Sequence, residues 1–317
     1  MTLVVCRSHE EIPAAPVAIS DAPCLIEFAG DICITGIRLA LPWSQLTLLE
    51  LDESRGSLSL LPSIPEGDLG SEHLELPSLR VIHSIDEPPA LEGLLVPNLQ
   101  HIILSHGQDP FGDGASGNQR IYYHTFRLLQ RSRCAIQTVE FRVPTHGTKL
   151  SSRGVERILQ QSRSVQEVRF VVAHISSISN IDWGHLGTSF TFERLQTLSF
   201  RVARHRAFFE ESGMLVPEIN RTLDEDTKEY FRDSDMDLRV LEEYRRNGGA
   251  LLDMLESRSR LPELQNVYLD FADSPYLHWF TVPQVVDRLR RLVIRDMVYV
   301  QIQGVNFSKL VSRDRIS

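Results

Sequence analysis

No apolar run in this chain approaches the ~18 residues that a membrane-crossing helix needs, so no membrane role is expected. The opening MTLVVCRSHEE has no basic n-region, and its apolar run is too short for a secretory signal. Cysteine is scarce. Cys6, Cys24, Cys33 and Cys134 form no CxxC pair, which argues against a disulfide framework and points to reduced thiols in the cytoplasm or nucleus. HExxH, a Cys/His cluster at zinc spacing and the G-x-S-x-G nucleophile elbow are all missing. Asp233-x-Asp235-x-Asp237 opens like a calcium loop, but Leu238 stands where glycine makes the turn and Tyr244 where a bidentate glutamate closes it. No metal, no cofactor and no catalytic residue are therefore expected.

What is present is an ordinary globular composition, 42% hydrophobic and 24% charged, in 317 residues. The net charge of −9 is unevenly placed. Residues 1–118 carry 17 acids against 4 bases, 119–169 carry 10 bases against 3 acids, and 222–243 carry 9 acids against 3 bases. The acidic flanks would repel phosphates, so nucleic acid is not an expected partner.

The dominant signal is a recurring phrase, apolar-x-x-apolar-x-apolar. It begins at Leu25 (LIEFAG), Leu46 (LTLLEL), Leu79 (LRVIHS), Leu99 (LQHIIL), Ile136 (IQTVEF), Val165 (VQEVRF), Leu195 (LQTLSF), Leu264 (LQNVYL) and Leu289 (LRRLVI). Gly30 and Ser84 replace the last apolar residue in two of these. Successive strand residues point to opposite faces. The fourth and sixth positions therefore face a core, and the third, fifth and seventh face the other way. Helical patterns stand at about 120–131, 152–161, 249–257 and 283–290, and Leu76-Pro77, Val96-Pro97 and Leu261-Pro262 punctuate the approach to a strand. Helix and strand in alternation imply parallel strands. The expectation is an α/β fold, a leucine-rich-repeat-like solenoid with a curved parallel sheet and helices and loops on its convex side. It spans 1–317 as one domain with repeats over about 25–302, interrupted by a loop at 53–75 and an acidic insertion at about 203–248.

Several phrases carry a family likeness. LPWSQLTLLEL (41–51), LPSLRVI (76–82), VPNLQHIILS (96–105), LLQRSRCAIQTVEF (128–141), ILQQSRSVQEVRF (158–170), ALLDMLESRSRLPELQNVYLDF (250–271) and VVDRLRRLVIRDMVYVQI (285–302) resemble the leucine-rich-repeat region of the F-box proteins of mushroom-forming fungi. The resemblance implies a non-catalytic, substrate-binding subunit of a Skp–cullin–F-box ubiquitin ligase. The family's F-box opens with Leu-Pro-x-Glu and a helix. It is not found here, since Leu41-Pro42 runs into Trp-Ser-Gln and a strand. A Skp-type adaptor is a partner only if a box is present. A stand-alone repeat scaffold is the alternative.

The outward positions are the place to look for a protein substrate. Ala29, Glu50, His83, Ile103, Glu140, Arg169, Ser199, Tyr268 and Val293 hold the fifth position, and Arg142, Val171, Arg201, Asp270 and Arg295 are among the seventh. Arg142, Arg169 and Arg201 come from consecutive repeats. On strands about 4.8 Å apart they would line a stripe for an acidic or phosphorylated segment. The competing expectation is that Glu140 and Glu167 pair with them as a solvated ladder. A third function, of another class, is a nucleotide-binding enzyme using the Gly112-Asp-Gly114-Ala-Ser-Gly117 loop. That loop starts well past the strand and puts Asp113 beside the would-be pyrophosphate.

Overall fold

A computed structural model describes residues 2–5, 26–31, 43–52, 73–85, 91, 93–106, 117–143, 150–172, 181, 183, 193–202, 249, 251–256, 261–270, 283–295, 299–302 and 305–306. Residues 53–72 of the expected 53–75 loop, the glycine loop up to residue 116, the aspartates at 233–237 and the insertion at 203–248 lie outside them, while Leu74–Glu75 at the end of that loop form a short strand. The strands are β1 (Thr2–Val5), β2 (Glu27–Asp31), β3 (Leu48–Asp52), β4 (Leu74–Glu75), β5 (Val81–Ile85), β6 (Leu94–Leu95), β7 (His101–Ser105), β8 (Thr138–Val143), β9 (Glu167–Val172), β10 (Thr197–Val202), β11 (Asn266–Asp270), β12 (Tyr299–Ile302) and β13 (Val305–Asn306). The helices are α1 (Gly117–Ser132), α2 (Ser152–Gln161), α3 over residues 251–256, and α4 (Pro283–Arg295). The class is mixed α/β with a mostly parallel sheet. Every pairing whose register is described is parallel except the antiparallel β12–β13 pair.

The chain groups into two compact units, Met1–Arg142 with Leu150–Arg169, and Val143–Lys149 with Phe170–Ser317. In the first, β1, β2, β3, β5, β7 and β8 lie side by side in that order. The phrase sets the register: Leu49 pairs with Ile82, Ile82 with Ile102 and Ile102 with Val139, with Leu51, Ser84, Leu104 and Phe141 one step on. All eight side chains are buried, as are the leading Leu46, Leu79, Leu99 and Ile136. The first-position residue closes a turn. Leu79 N–H donates to Leu76 O, Leu99 to Val96 O and Val165 to Ser162 O, so Pro77 and Pro97 occupy the second turn position, where a fixed φ is favourable. The second-position backbone then links repeat to repeat. Ile26 O accepts from the N–H groups of Thr47 and Leu48, Thr47 O from Arg80 and Val81, Arg80 O from Gln100 and His101, Gln100 O from Gln137 and Thr138, and Gln137 O from Gln166 and Glu167.

The core face is closed by helices. The Tyr122 ring of α1 meets Phe141 of β8, and its hydroxyl lies 2.9 Å from His106 Nε2. Burial holds that phenol protonated well above its ordinary range. The two helices approach closely because residue 154 is glycine. A Cβ there would lie 2.3 Å from Tyr122 Cδ2. Ser151 caps α2, its side chain accepting from Gly154 N–H. Arg133 ends α1 with φ of 50° and donates its N–H to Leu129 O. Arg131 ties the last turn of α1 to the Leu91 and Leu94 carbonyls. The Cys134 thiol, pushed up to about 11 by burial, stays protonated.

In the second unit β10, β11, β12 and β13 are ordered consecutively. Leu198 pairs with Val267, and Val267 with Val300. Phe170 and Phe200 stack at 5.1 Å and Trp183 meets both edge-on. The phrase placed at Leu289 is not a strand. Residues 289–294 belong to α4, with Leu289 and Leu292 buried and Ile294 63% exposed. A spacing of three between apolar residues suits a helix face as well as the phrase, and the outward Ile294 shows that the helix period prevails. The strand of this repeat is β12, where Val300 takes the inward position. β1 and the small β4–β6 sheet were not anticipated.

Candidate recognition face

The outward positions form rows across the strands. In the first unit Glu50, His83, Ile103 and Glu140 pair in register, and Asp52, Ile85, Ser105 and Arg142 form the next row. His101 stands on the same face, one row below Ile103. This face is only partly open. His83 and Glu140 are 3% and 4% exposed, and Ile85 and Ser105 are also buried.

Arg142 and Arg169 are brought together, and Glu140 is what holds them. Arg142 Nε donates to Glu140 Oε1, and an Arg169 terminal nitrogen lies 3.6 Å from Glu140 Oε2. Arg169 also donates through Nε and a terminal amino group to both oxygens of Glu167, each at 2.8 Å. In each strand the pair stands at i and i+2, which places both side chains on one face. Hydrogen bonds accepted by Glu167, then its charge and that of Glu140, hold the Arg169 guanidinium protonated more firmly than usual. Two carboxylates thus face two guanidiniums, the geometry of the ladder rather than of a net positive stripe. His101 Nε2 lies 4.0 Å from Glu140 Oε2 and makes no hydrogen bond among the described residues. Its pKa falls below 6.5, chiefly because burial disfavours the charged ring, with Glu140 pulling the other way.

Arg201 and Tyr268 belong to the second unit. Arg201 Nε is 3.9 Å from Asp270 Oδ2, and the Tyr268 and Tyr299 rings are 6.1 Å apart. Thr197, Ser199, Asn266 and Gln301 stand around the two rings by register, and Asn266 donates to Thr197 Oγ1. The surface here is polar and aromatic.

One connection escaped the sequence reading. His83 Nδ1 lies 2.8 Å from Glu50 Oε2, and His83 Nε2 lies 2.7 Å from Ser105 Oγ. The fifth-position alignment already put Glu50 beside His83. The link to Ser105 runs diagonally to the seventh position of the next strand, and reading single rows misses it. Among the described residues no group of histidine, cysteine, aspartate and glutamate could hold a metal ion, and no described helix is long and apolar enough to cross a membrane. Gly117, the last glycine of the 112–117 loop, opens α1. No protein-family profile, curated protein or solved structure matches the chain.

Proposed function

We propose that the protein is a protein-recognition module, a leucine-rich-repeat-like solenoid that binds a protein substrate on its outward sheet face. The observation that carries this reading is the division of labour along the described strands. The fourth and sixth positions are spent on the core, leaving the third, fifth and seventh for a mixed set that includes Ile85 and Ile103 but also polar, charged and tyrosine side chains such as Arg169, 41% exposed, and Tyr268. Tyrosine among Ser, Thr and Asn supplies contact area with little ordering cost, a composition suited to gripping a protein surface. Because Glu140 and Glu167 balance Arg142 and Arg169, recognition rests on shape and hydrogen bonding more than on attraction of a phosphorylated segment. By the family resemblance, this module is the substrate-binding part of a Skp–cullin–F-box ligase, acting in the cytoplasm or nucleus.

Two measurements test it. A photo-crosslinking residue is placed at Tyr268 or Arg169, and as a control at Tyr123, exposed on α1. Recognition on the sheet face yields discrete protein adducts from the first two positions and none from the third. Equal adducts from all three, or none from any, overturn the reading. Mixing the full chain with purified Skp-type adaptor separates the ligase subunit, which forms a stoichiometric complex, from the stand-alone scaffold, which does not.

A further inference from the structure

Recognition asks no chemistry of the chain itself. The Glu50–His83–Ser105 connection goes beyond that reading, because its protons can be placed. An ionised carboxylate only accepts hydrogen bonds, so the hydrogen between Glu50 Oε2 and His83 Nδ1, 2.8 Å apart, sits on Nδ1. In the neutral ring Nε2 is then a lone pair. The Ser105 hydroxyl, 2.7 Å away, donates to it. An acid orients a base, and the base accepts the proton of a serine, which is the arrangement that makes a hydroxyl nucleophilic. The three residues come from three neighbouring strands, β3, β5 and β7, and Ser105 is the last residue of its strand.

We infer that Ser105 is a nucleophile toward small ester or thioester acyl donors, with His83 as its general base and Glu50 as the residue that positions the base. Ser105 Oγ bonds to the acyl carbon as its proton passes to His83 Nε2, and the carbonyl electron pair moves onto oxygen. The bond to the leaving alcohol or thiol breaks, and that group takes the proton from His83. Water, deprotonated by the same nitrogen, then releases the carboxylic acid and restores Ser105. No oxidant or further reactant is needed.

The surroundings decide which group meets the oxyanion. The N–H after the nucleophile, at His106, is already given to Arg142 O. The side chain of Arg142 is in register with Ser105 on the adjacent strand. Its Nε is held by Glu140, and its terminal amino groups make no hydrogen bond among the described residues. A guanidinium there is the available stabiliser of developing negative charge. Ser105 is 1% exposed. Burial restricts what reaches the relay to small molecules, the acyl donor and the hydrolytic water alike.

The test is phosphorylation of the full chain by diisopropyl fluorophosphate, followed by intact mass and peptide mapping. The expected result is a single adduct on Ser105, absent from Ser105→Ala. In Glu50→Gln, which keeps the volume and removes the charge, labelling slows by ~100-fold or more. Glu50→Asp, which restores the carboxylate, recovers part of the lost rate. A folded wild-type chain that takes no adduct from millimolar probe overturns the proposal, as does an adduct on another residue. An unchanged rate in Glu50→Gln overturns the role given to Glu50, as does a Glu50→Asp rate no faster than that of Glu50→Gln.

Discussion

Ser84 stands where every neighbouring strand puts a large apolar side chain. Leu51 and Leu104 flank it in register, it is fully buried, and its hydroxyl has no partner among the described residues. A buried hydroxyl without a hydrogen bond costs about 1–3 kcal/mol. Ser84→Ala removes that cost and leaves only a small void. The expected outcome is a gain of about 1 kcal/mol, seen as a higher urea midpoint with an unchanged slope. A lower midpoint would mean that the hydroxyl has a partner after all. Ser84 was visible in the sequence as an exception at an inward position, but only the structure shows that its hydroxyl meets no partner there among the described residues.

Among the elements, the α1–α2 contact depends on one missing methyl group. In an isolated helix, Gly154→Ala would be worth about 1 kcal/mol of propensity. Here the added Cβ meets the Tyr122 ring at 2.3 Å, and the ring cannot swing aside without breaking its hydrogen bond to His106. Overpacking of this kind costs about 1–3 kcal/mol, so Gly154→Ala is expected to lower the thermal midpoint rather than raise it. The α2 limits were legible because Val155, Ile158 and Leu159 make a helical stripe, whereas the Ser151 cap came only with the structure. α4 was half legible. Its first turns stood out, but Leu289 and Leu292 satisfy both periods, and only packing assigns them to the helix. The β4–β6 pair was invisible because two-residue strands carry no period of their own.

For the whole molecule, the outward face links pH to stability through His101. Its folded pKa lies below 6.5, with burial as the largest cause. The unfolded chain therefore binds the proton more readily as pH falls. Stability from this group is complete above about 6.5 and declines as pH drops from 6.5 toward the folded pKa, where the decline ends. Wild-type and His101→Gln proteins, unfolded by urea across that window, should show the steeper acid-side loss in the wild type. Parallel curves would remove His101 from the account. The sheet's inward rows were readable from periodicity alone. The outward face was not, because a list of exposed positions does not tell which arginine has already met a glutamate.

The carbonyl at the second position of each phrase has one further consequence. From Ile26 to Gln137, each described repeat is fastened to the one before by the same two N–H groups meeting the same acceptor, whatever the length of chain between them. Thirty-three residues separate Thr47 from Arg80 and twenty separate Arg80 from Gln100, yet the joint is identical. A gene encoding such a chain can therefore lose, gain or duplicate a whole phrase and still present matching ends. Variation in loop length leaves no trace on the seam, and lineages can diverge by counting strands as well as by changing residues.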